Sequence, residues 1–295
     1  MKKFLGCILC LSVILGILFY HLSSTYALNT SYYNEKNAPE FYGLTKAIIQ
    51  KDDVFSIEDS KFRIFARDFE DGDLTQKINV ISNNVDTSKE GSYKVIYEVV
   101  DSHNNKTRLE VVIEVIDDIS EGRYYERTLY SLPSVENMSL AGTHRGNNED
   151  RQMLGFYMEK DSKIAIKKLS GDKNLTLTYL NNDQEKEDNF TITDNYVDIV
   201  SNKSEAGVPF IKTVYESKEP VVVGIKVNDT KVHSLPYYHN GDNETEFFRY
   251  WNQLTDSYAV TESEDLTVLI PYHDRNKLVN YYSNCFNSLD AFFSY

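Results

Sequence analysis

The sequence predicts a mainly β protein that consists of two β-sandwich modules, the second of which also carries two helices. Short segments in which apolar and polar residues alternate recur along most of the chain, with turn-forming residues between them. Of the 295 residues, 41% are hydrophobic and 26% are charged, and such a chain is long enough to bury two globular cores. Residues 243–258 and 275–295 instead place apolar side chains at helical spacing.

The first 27 residues have the pattern of a secretory signal peptide. Lys2 and Lys3 precede an apolar run over residues 4–20, and small and polar residues follow up to Ala27. We therefore expect a secreted or cell-surface bacterial protein with a polar spacer over residues 28–38 and no transmembrane segment beyond the signal peptide. An uncleaved membrane anchor is the alternative, because the apolar run is only slightly shorter than a span that crosses a bilayer.

Charge and cysteine content narrow the choice of partners. The formal net charge is -14, and it becomes -16 without the first 27 residues, because these contain Lys2 and Lys3 but no acid. Such a surface repels phosphate backbones, so we expect no nucleic-acid partner. Removal of the signal peptide also removes Cys7 and Cys10, and Cys285 alone cannot form an internal disulfide. We expect a monomer whose stability depends on core packing.

The first module is predicted to span residues 39–117. Within residues 92–99 apolar and aromatic side chains alternate with polar ones, which predicts a strand that is buried on one face. The buried face contains Tyr93, Val95, Tyr97 and Val99, and the solvated face contains Lys94 and Glu98. A polar turn over residues 101–105 and a returning strand over residues 109–115 complete a hairpin.

A set of short motifs marks this module. Residues 66–75 read Ala-Arg-Asp-Phe-Glu-Asp-Gly-Asp-Leu-Thr, and they are followed by Val-Asp-Thr at 85–87, Gly91, Tyr93 and the segment 97–102. With these motifs the module resembles the bacterial immunoglobulin-like domains that are repeated in Gram-positive surface proteins. The resemblance covers about a quarter of the chain. It implies an immunoglobulin-like β-sandwich that serves as a spacer or an adhesive module rather than as a catalyst.

An acidic loop in the first module is a candidate calcium site. Asp68, Glu70, Asp71 and Asp73 could supply several of the oxygen ligands that this hard cation requires. The alternative is a solvated loop whose aspartates cap turns through their own backbone, because the twelve-residue calcium loop with its closing glutamate is absent.

The second module is predicted to span residues 129–295 and to form a β-sandwich or jelly roll with two helices, the last of them C-terminal. Its predicted strands lie at residues 155–158, 163–167, 175–180, 190–193, 196–200, 208–215, 221–227 and 266–270. The acidic residues that follow Asn243 suit a helix N-terminus. The apolar face of the final helix needs a partner. Either the chain is a truncated gene product or this helix folds back on the sandwich.

Further motifs mark the second module. They are Asp-Arg-x-x-x-Gly-Phe-Tyr at residues 150–157, an alternating strand at 164–166, and Pro-Tyr-Tyr-x-x-Gly at 236–241 ahead of the helix with Trp251. In this order they resemble the N-terminal part of enhancin-like zinc metallopeptidases, which are secreted enzymes that attack mucins and other glycoproteins. The resemblance covers roughly half of the chain. It implies a β-sandwich that contacts mucin or carbohydrate ahead of a helical catalytic part.

The chain contains no recognisable catalytic motif. The zinc site of that family requires His-Glu-x-x-His, and each of the six histidines is followed by a residue other than glutamate. We therefore expect no catalytic residue and no zinc ligand in this chain, and zinc enters only if a catalytic part follows. Glycosidase activity is a further alternative, because the two catalytic carboxylates of a glycosidase can lie far apart in the sequence.

Aromatic residues provide the remaining indication of function. The chain contains 22 Tyr and 15 Phe, and exposed rings beside polar groups are suited to sugar binding. The candidate carbohydrate-binding residues are Tyr237, Tyr238, His239 and Trp251, although Trp251 also fits a buried helix face. The favoured hypothesis is noncatalytic recognition of host mucin or glycoprotein glycans. The alternatives are the N-terminal fragment of a zinc metallopeptidase that acts on mucin-type glycoproteins, and a structural or adhesive spacer of the cell wall.

Overall fold

The computed structural model describes residues 38–132, 151–181, 188–201, 205–263, 267–285 and 289–293. The predicted signal peptide and residues 28–37 of the predicted spacer lie outside them. The mainly β fold class is confirmed, because strands dominate the described residues and helices are confined to the end of the chain. In the part of the chain that the structure describes, no helix is long and apolar enough to cross a membrane.

The strands and helices follow one another in a simple order. The strands of the first module are β1 (Glu40–Gln50), β2 (Ile64–Asp68), β3 (Gly72–Asp73), β4 (Asn79–Asn83), β5 (Gly91–Val100) and β6 (Lys106–Ile116). The next strands are β7 (Arg123–Leu129), β8 (Ser131–Leu132), β9 (Arg151–Met153), β10 (Phe156–Met158), β11 (Lys163–Ser170), β12 (Leu175–Leu180), β13 (Asp188–Ile192), β14 (Val197–Val200), β15 (Val208–Lys212), β16 (Val214–Tyr215) and β17 (Val221–Val227). The last elements are β18 (Val232–Ser234), β19 (Tyr237–His239), α1 (Glu244–Trp251), β20 (Tyr258–Glu262), β21 (Thr267–Pro271), α2 (Arg275–Cys285) and α3 (Leu289–Phe293).

One ten-stranded sheet runs through both modules. Its path is β14-β11-β17-β7-β1-β6-β5-β4, with β2 and β3 attached beside β1. Strand β7 pairs with β1 of the first module on one side and with β17 of the second module on the other. The segment between the two predicted modules is therefore a strand inside a shared sheet. Separating the modules would break both of these strand pairings.

The second module is a sandwich of two sheets. A four-stranded sheet, in the order β13-β12-β15-β9, faces the β11-β17 part of the large sheet. Ile164, Ile166 and Ile225 from the large sheet share one hydrophobic core with Leu177 and Ile211 from the smaller one. The alternating apolar residues of β11, β12 and β17 point inward and form this core, as expected for strands buried on one face.

The predicted hairpin of the first module is confirmed. Strands β5 and β6 pair antiparallel from Gly91 opposite Val115 to Val100 opposite Lys106. The prediction for Glu98 was wrong, because its side chain is buried rather than solvated. Lys106 and Arg108 from β6 lie 3.0 and 2.7 Å from its carboxylate, and these ion pairs compensate the charge at this position.

The prediction for the first helix needs correction in length. Helix α1 is capped by Asn243, whose side chain accepts a hydrogen bond from the backbone of Glu246, and it ends at Trp251 rather than near residue 258. The chain that follows instead forms strand β20, which pairs with β19 and β21. The final helical region consists of α2 and α3, and Leu289 at the start of α3 is buried in a cluster with Trp251. This part of the chain folds back on the second module.

Candidate functional site

A cleft of about 320 Å³ opens on the second module and is the candidate functional site. Small-molecule sites in proteins have volumes from about 300 Å³ upward, so the cleft is large enough for a compact ligand such as one sugar ring. Four chain segments form it: the end of β10 with the residues that follow it, the residues ahead of β15, the loop between α1 and β20, and the turn that follows β21. The polar and aromatic lining residues include Glu159, Lys160, Glu205, Asp256, Ser257, Tyr272 and His273.

Hydrogen bonds connect three of these segments. The Tyr157 hydroxyl donates to the backbone carbonyl of Asp256 at 3.1 Å, which connects β10 to the loop after α1. The backbone N–H of Tyr272 donates to the carbonyl of Ser257 at 2.8 Å, which connects the same loop to the turn after β21. Asp256 adopts a left-handed conformation with φ of 54°, a conformation that aspartate and asparagine tolerate better than most residues. The cleft wall is thus fixed by backbone contacts.

Glu159 is oriented by a histidine outside the cleft. Its Oε1 lies 2.9 Å from Nε2 of His233 on the neighbouring strand β18. The His233 ring in turn stacks on Tyr157, with centroids 5.9 Å apart. The carboxylate is only half-buried, so this contact positions it while leaving it accessible to solvent. His233 thus orients Glu159 from outside the cleft.

Ser257 is a buried polar residue of the cleft lining. The residue is 1% exposed, and its hydroxyl has no hydrogen-bond partner among the described residues. A buried hydroxyl without a partner costs roughly 1–3 kcal/mol of stability. Because this hydroxyl is closed to solvent, it is not a contact point for a ligand in the cleft.

Tyr272 and His273 supply partly exposed rings beside these polar groups. The guanidinium carbon of Arg275 lies 4.7 Å from the centroid of the Tyr272 ring, a cation–π distance that holds the ring in place. The His273 side chain is largely exposed. The cleft therefore combines carboxylates, a lysine and two rings, which together can accept and donate hydrogen bonds and contact an apolar ligand face.

The four predicted carbohydrate-binding residues lie elsewhere and are buried. Trp251 is 0% exposed in the core beneath α1, so its core alternative is the observed one. The hydroxyl of Tyr238 donates to Asp290 at 2.6 Å, and that of Tyr237 donates to Glu262 at 2.8 Å. His239 is 3% exposed. The expectation that these rings form an exposed edge is corrected, because tertiary contacts from α3, β20 and the first module cover them.

Tyr237 and His239 are instead part of a partly buried polar network between the modules, which we call the junction network. It joins Arg63, Asp73 and Gln76 of the first module to Tyr237, His239 and Asp242 of the second. Arg63 Nη2 lies 2.6 Å from Asp242 Oδ1, and its guanidinium lies over the Tyr237 ring at 5.1 Å. Gln76 donates to the same Asp242 oxygen at 3.1 Å.

A histidine–aspartate pair completes the junction network. His239 Nε2 lies 2.8 Å from Asp73 Oδ2. Burial acts to lower the pKa of His239, but the hydrogen bond to Asp73 and the charge of its carboxylate outweigh burial and raise that pKa. Burial also acts to raise the pKa of Asp73, and the contacts with His239 and Thr75 instead lower it. Both shifts favour the charged forms of the two side chains.

Backbone contacts tighten the same junction. Ser60 Oγ donates to the carbonyl of Gly155 at 2.9 Å. Arg127, which is 1% exposed on β7, donates to the carbonyls of Ser60, Lys61 and Arg63, and burial lowers the pKa of its guanidinium to about 10. A Cβ on Gly155 would lie 2.3 Å from the Ser60 carbonyl oxygen. Only glycine permits this approach.

The acidic loop of the first module uses its carboxylates for turn contacts. Asp68 Oδ1 accepts the N–H groups of Glu70 and Asp71, and the Asp71 carboxylate accepts the backbone and hydroxyl of Ser102. Asp73 is held by His239 and Thr75. Among the described residues, no group of three or more histidine, cysteine or acidic side chains is placed to hold a metal ion. Calcium binding at Asp68, Glu70, Asp71 and Asp73 stays a prediction.

The chain is 29% identical over 177 residues to the pesticidal crystal protein Cry22Aa of Bacillus thuringiensis. The aligned residues make up 58% of this chain and 21% of that protein. The chain thus spans about a fifth of the length of this curated relative.

Solved structures of bacterial proteins are similar over about half of this chain and about a third of their own chains. The catalytic module of the metalloprotease ZmpA from Clostridium perfringens matches with 18% identity and a TM-score of 0.42, over 54% of this chain and 36% of that chain. The M60 catalytic domain of Clostridium perfringens ZmpC, in complex with the sialyl T antigen, matches with 15% identity and a TM-score of 0.42, over 54% and 35%. A functionally unknown conserved protein of Bacillus anthracis, in a mutant form, matches with 14% identity and a TM-score of 0.42, over 52% and 31%.

A family model matches the first module. It is described as "Bacterial surface protein, Ig-like domain" and covers residues 40–115, which include strands β1 to β5 and nearly all of β6. The resemblance inferred from the motifs of residues 66–102 is confirmed. The segment of residues 40–115 therefore belongs to the bacterial surface Ig-like domain family.

Proposed function

We propose that this protein is a noncatalytic, secreted or cell-surface bacterial protein that recognises glycans of host mucin or other glycoproteins, and that the cleft binds the sugar. The observation that carries the proposal is a cleft of about 320 Å³ whose described lining presents carboxylates, a lysine and partly exposed rings. The Ig-like domain supports an extracellular location, because its family is found in bacterial surface proteins.

The chemistry of the cleft suits a sugar. Each sugar hydroxyl can donate one hydrogen bond and accept others, so it can donate to a carboxylate and accept from Lys160. The C–H face of a sugar ring is apolar and can pack on the Tyr272 or His273 ring. A binding role is proposed rather than a catalytic one because none of the six histidines begins His-Glu-x-x-His.

The shared sheet makes the first module a rigid support for the cleft. Strand β7 pairs with strands of both modules, and the junction network bridges them with buried charges. A cleft presented in this way keeps its orientation relative to the surface that displays the protein. This is useful for adhesion to an extended glycoprotein.

The test is a binding assay of the purified protein on immobilised mucin, with Tyr272→Ala as the cleft variant. We expect this variant to lose at least tenfold in affinity, since stacking on a ring and the hydrogen bonds beside it are lost together. Phe69→Ala is the matched control, because it removes an exposed ring from the first module. Equal binding by all three proteins would contradict the cleft as the site, and no binding by the unaltered protein would contradict the function. A chelator should leave binding unchanged.

A further inference from the structure

We propose that the outer face of the ten-stranded sheet binds a chain of sugars through the rings of Tyr124 and Tyr196. The inference rests on the proposed function and assigns a second contact for the same class of ligand. Neither tyrosine lines the cleft, so the two contacts can be tested separately. We call the residues of this contact the outer patch, and they are Tyr124, Lys167, Leu169, Tyr196, Gly224 and Lys226.

The outer patch lies on the solvent face of strands β7, β11 and β17, with Tyr196 just ahead of β14. Alternate residues of these strands fill the core, so Tyr124, Lys167, Gly224 and Lys226 lie on the opposite face. Tyr124 is opposite Lys226 in the pairing of β7 with β17, and Lys167 is opposite Gly224 in the pairing of β11 with β17. The sheet thus brings residues from distant parts of the chain together.

Gly224 makes room for the ring of Tyr124. A Cβ at this position would lie 2.7 Å from the Tyr124 hydroxyl oxygen and 3.2 Å from its Cε2. The same point is 3.3 Å from Leu169 Cδ1. Glycine weakens a strand interior, and it often marks a place where another group approaches the backbone closely. Here it lets the Tyr124 ring lie close to the sheet beside Leu169, while the tyrosine stays partly exposed.

Tyr196 extends this surface. Tyr196 and Leu169 are each 39% exposed. The Nζ atoms of Lys167 and Lys226 lie 4.8 and 5.1 Å from the centroid of the Tyr196 ring, which are cation–π distances. Because Lys226 is also the cross-strand neighbour of Tyr124, it connects the two tyrosines. The lysines therefore hold Tyr196 beside the surface that Tyr124 and Leu169 form.

Polar groups at the edge of the outer patch are paired within the protein. Lys226 Nζ lies 2.9 Å from Glu121 Oε2, and the Tyr124 hydroxyl donates to Glu126 Oε1 at 3.0 Å. The ion pair balances the charge of Lys226. What the patch offers to a partner is therefore ring and aliphatic surface with polar groups around it.

A chain of sugars suits this surface. The C–H face of a sugar packs on an aromatic ring, while its hydroxyls point to water or to the polar groups at the edge. A sheet face does not enclose one ring as a cleft does, so it suits several linked sugars that lie across neighbouring strands. A stable protein interface instead buries about 800 Å² on each partner, which is more than three partly exposed side chains provide.

The experiment measures binding of the purified protein to immobilised mucin for the double variant Tyr124→Ala and Tyr196→Ala. We expect its apparent affinity to fall by about threefold to tenfold, since two stacking rings are lost. Phe69→Ala, which removes an exposed ring from the first module, is the control and should bind as the unaltered protein does. Unchanged binding by the double variant, with weaker binding by Tyr272→Ala, would overturn the inference and leave the proposed function in place. If the unaltered protein binds no mucin, both fail.

Gly224→Ala tests the position of the ring while both tyrosines are kept. The new Cβ would meet the hydroxyl end of Tyr124, a flexible side chain that can swing away, so the fold should be retained with an unchanged midpoint of urea unfolding. We expect a loss of about twofold to fivefold in affinity for mucin. Full binding by this variant would contradict the placement of the Tyr124 ring as the basis of the contact.

Mucin stripped of its glycans separates a sugar from a polypeptide ligand. We expect the unaltered protein to lose its binding to this material. Binding that persists on it and depends on Tyr124 and Tyr196 would show that the outer patch contacts polypeptide, and it would overturn the inference.

Discussion

The junction network and the cleft both combine charged side chains with aromatic rings, but they differ in how these groups are satisfied. At the junction, the Arg63 guanidinium, the His239 ring and the Asp242 carboxylate each have a partner within 3 Å, and all three are shielded from solvent. At the cleft, Glu159 is half exposed and the Ser257 hydroxyl has no partner among the described residues. The same residue types therefore hold the modules together at the junction and remain accessible to a ligand in the cleft.

This difference shows why burial must be known before an aromatic cluster is assigned a function. A buried polar network that is fully paired fixes how the surrounding elements fit together, and a break in it leaves an uncompensated charge. In an open polar site, groups without a protein partner lower the stability of the fold but can form hydrogen bonds with a ligand.

The largest effect is expected from Arg63→Met at the junction. The variant removes the guanidinium that lies 2.6 Å from Asp242 and leaves that carboxylate buried with a net charge. Breaking a buried pair in this way costs about 3–5 kcal/mol in the free energy of unfolding, which urea denaturation would measure. The control is Lys89→Ala, which breaks the largely exposed pair with Asp86 and should cost no more than about 0.5 kcal/mol. A loss below 1 kcal/mol for Arg63→Met would show that the junction does not hold the modules together.

Gly155→Ala should have the next largest effect. Its φ is +84° and its Cβ would lie 2.3 Å from the carbonyl oxygen of Ser60, so both the backbone conformation and the contact between modules would be strained. We expect a loss of about 2–4 kcal/mol in the free energy of unfolding. Gly171→Ala is the matched control, because Gly171 also has a positive φ but its nearest neighbour is the Val221 side chain at 3.1 Å. Equal losses in the two variants would show that the positive φ alone, and not the contact with Ser60, causes the loss of stability.

His239 should make the stability of the junction depend on pH. Its pKa is raised above the ordinary value of 6.5, so the stability that it contributes is complete below that value and is lost as pH rises through its folded-state pKa. Asp73 has a lowered pKa, so its contribution is present at neutral pH and is lost only in acid, as pH falls through its folded-state pKa. Asp73 and Glu262 act to raise the pKa of His239, whereas burial and Arg63 act to lower it.

The corresponding measurement is the free energy of unfolding at pH 5.5 and 8.5 for the unaltered protein and for His239→Gln. We expect the unaltered protein to lose about 1 kcal/mol more than the variant between these pH values. His103→Gln, which replaces an exposed histidine of the first module, serves as the control and should behave as the unaltered protein does. The same loss in all three proteins would place the pH dependence elsewhere.

The sequence predicted the strands better than the contacts between them. The alternation of residues 175–180 and 221–227 fixed β12 and β17 at their observed bounds, because these strands are each buried on one face. Strand β7 was missed, since Arg123, Glu126 and Arg127 interrupt its apolar pattern and the partners that accept them are far away in the chain. Tyr237 and His239 were misplaced at the surface for the same reason. Their partners Arg63 and Asp73 precede them by more than 160 residues.

No sequence motif marks the residues that line the cleft. Glu159, Asp256 and Tyr272 come from three separate segments, and none of them is exceptional in its local context. A sequence cannot show that the Ser257 hydroxyl has no hydrogen-bond partner among the described residues, because this depends on which side chains the fold places beside it. Sites built in this way become visible only after the fold brings the segments together.

Ser257→Ala should have the smallest effect on stability and the most informative one. Because the hydroxyl is buried without a partner, its removal should leave the free energy of unfolding unchanged or raise it by up to about 1 kcal/mol. Because the hydroxyl is closed to solvent, the same change should leave binding to mucin unchanged. Ser162→Ala is the control: this serine is equally buried but donates to the Glu159 carbonyl at 2.6 Å, so its loss should reduce stability by about 1 kcal/mol. If Ser257→Ala instead reduced stability as Ser162→Ala does, the Ser257 hydroxyl would be a paired structural group like those of the junction, and this difference between the two regions would be lost.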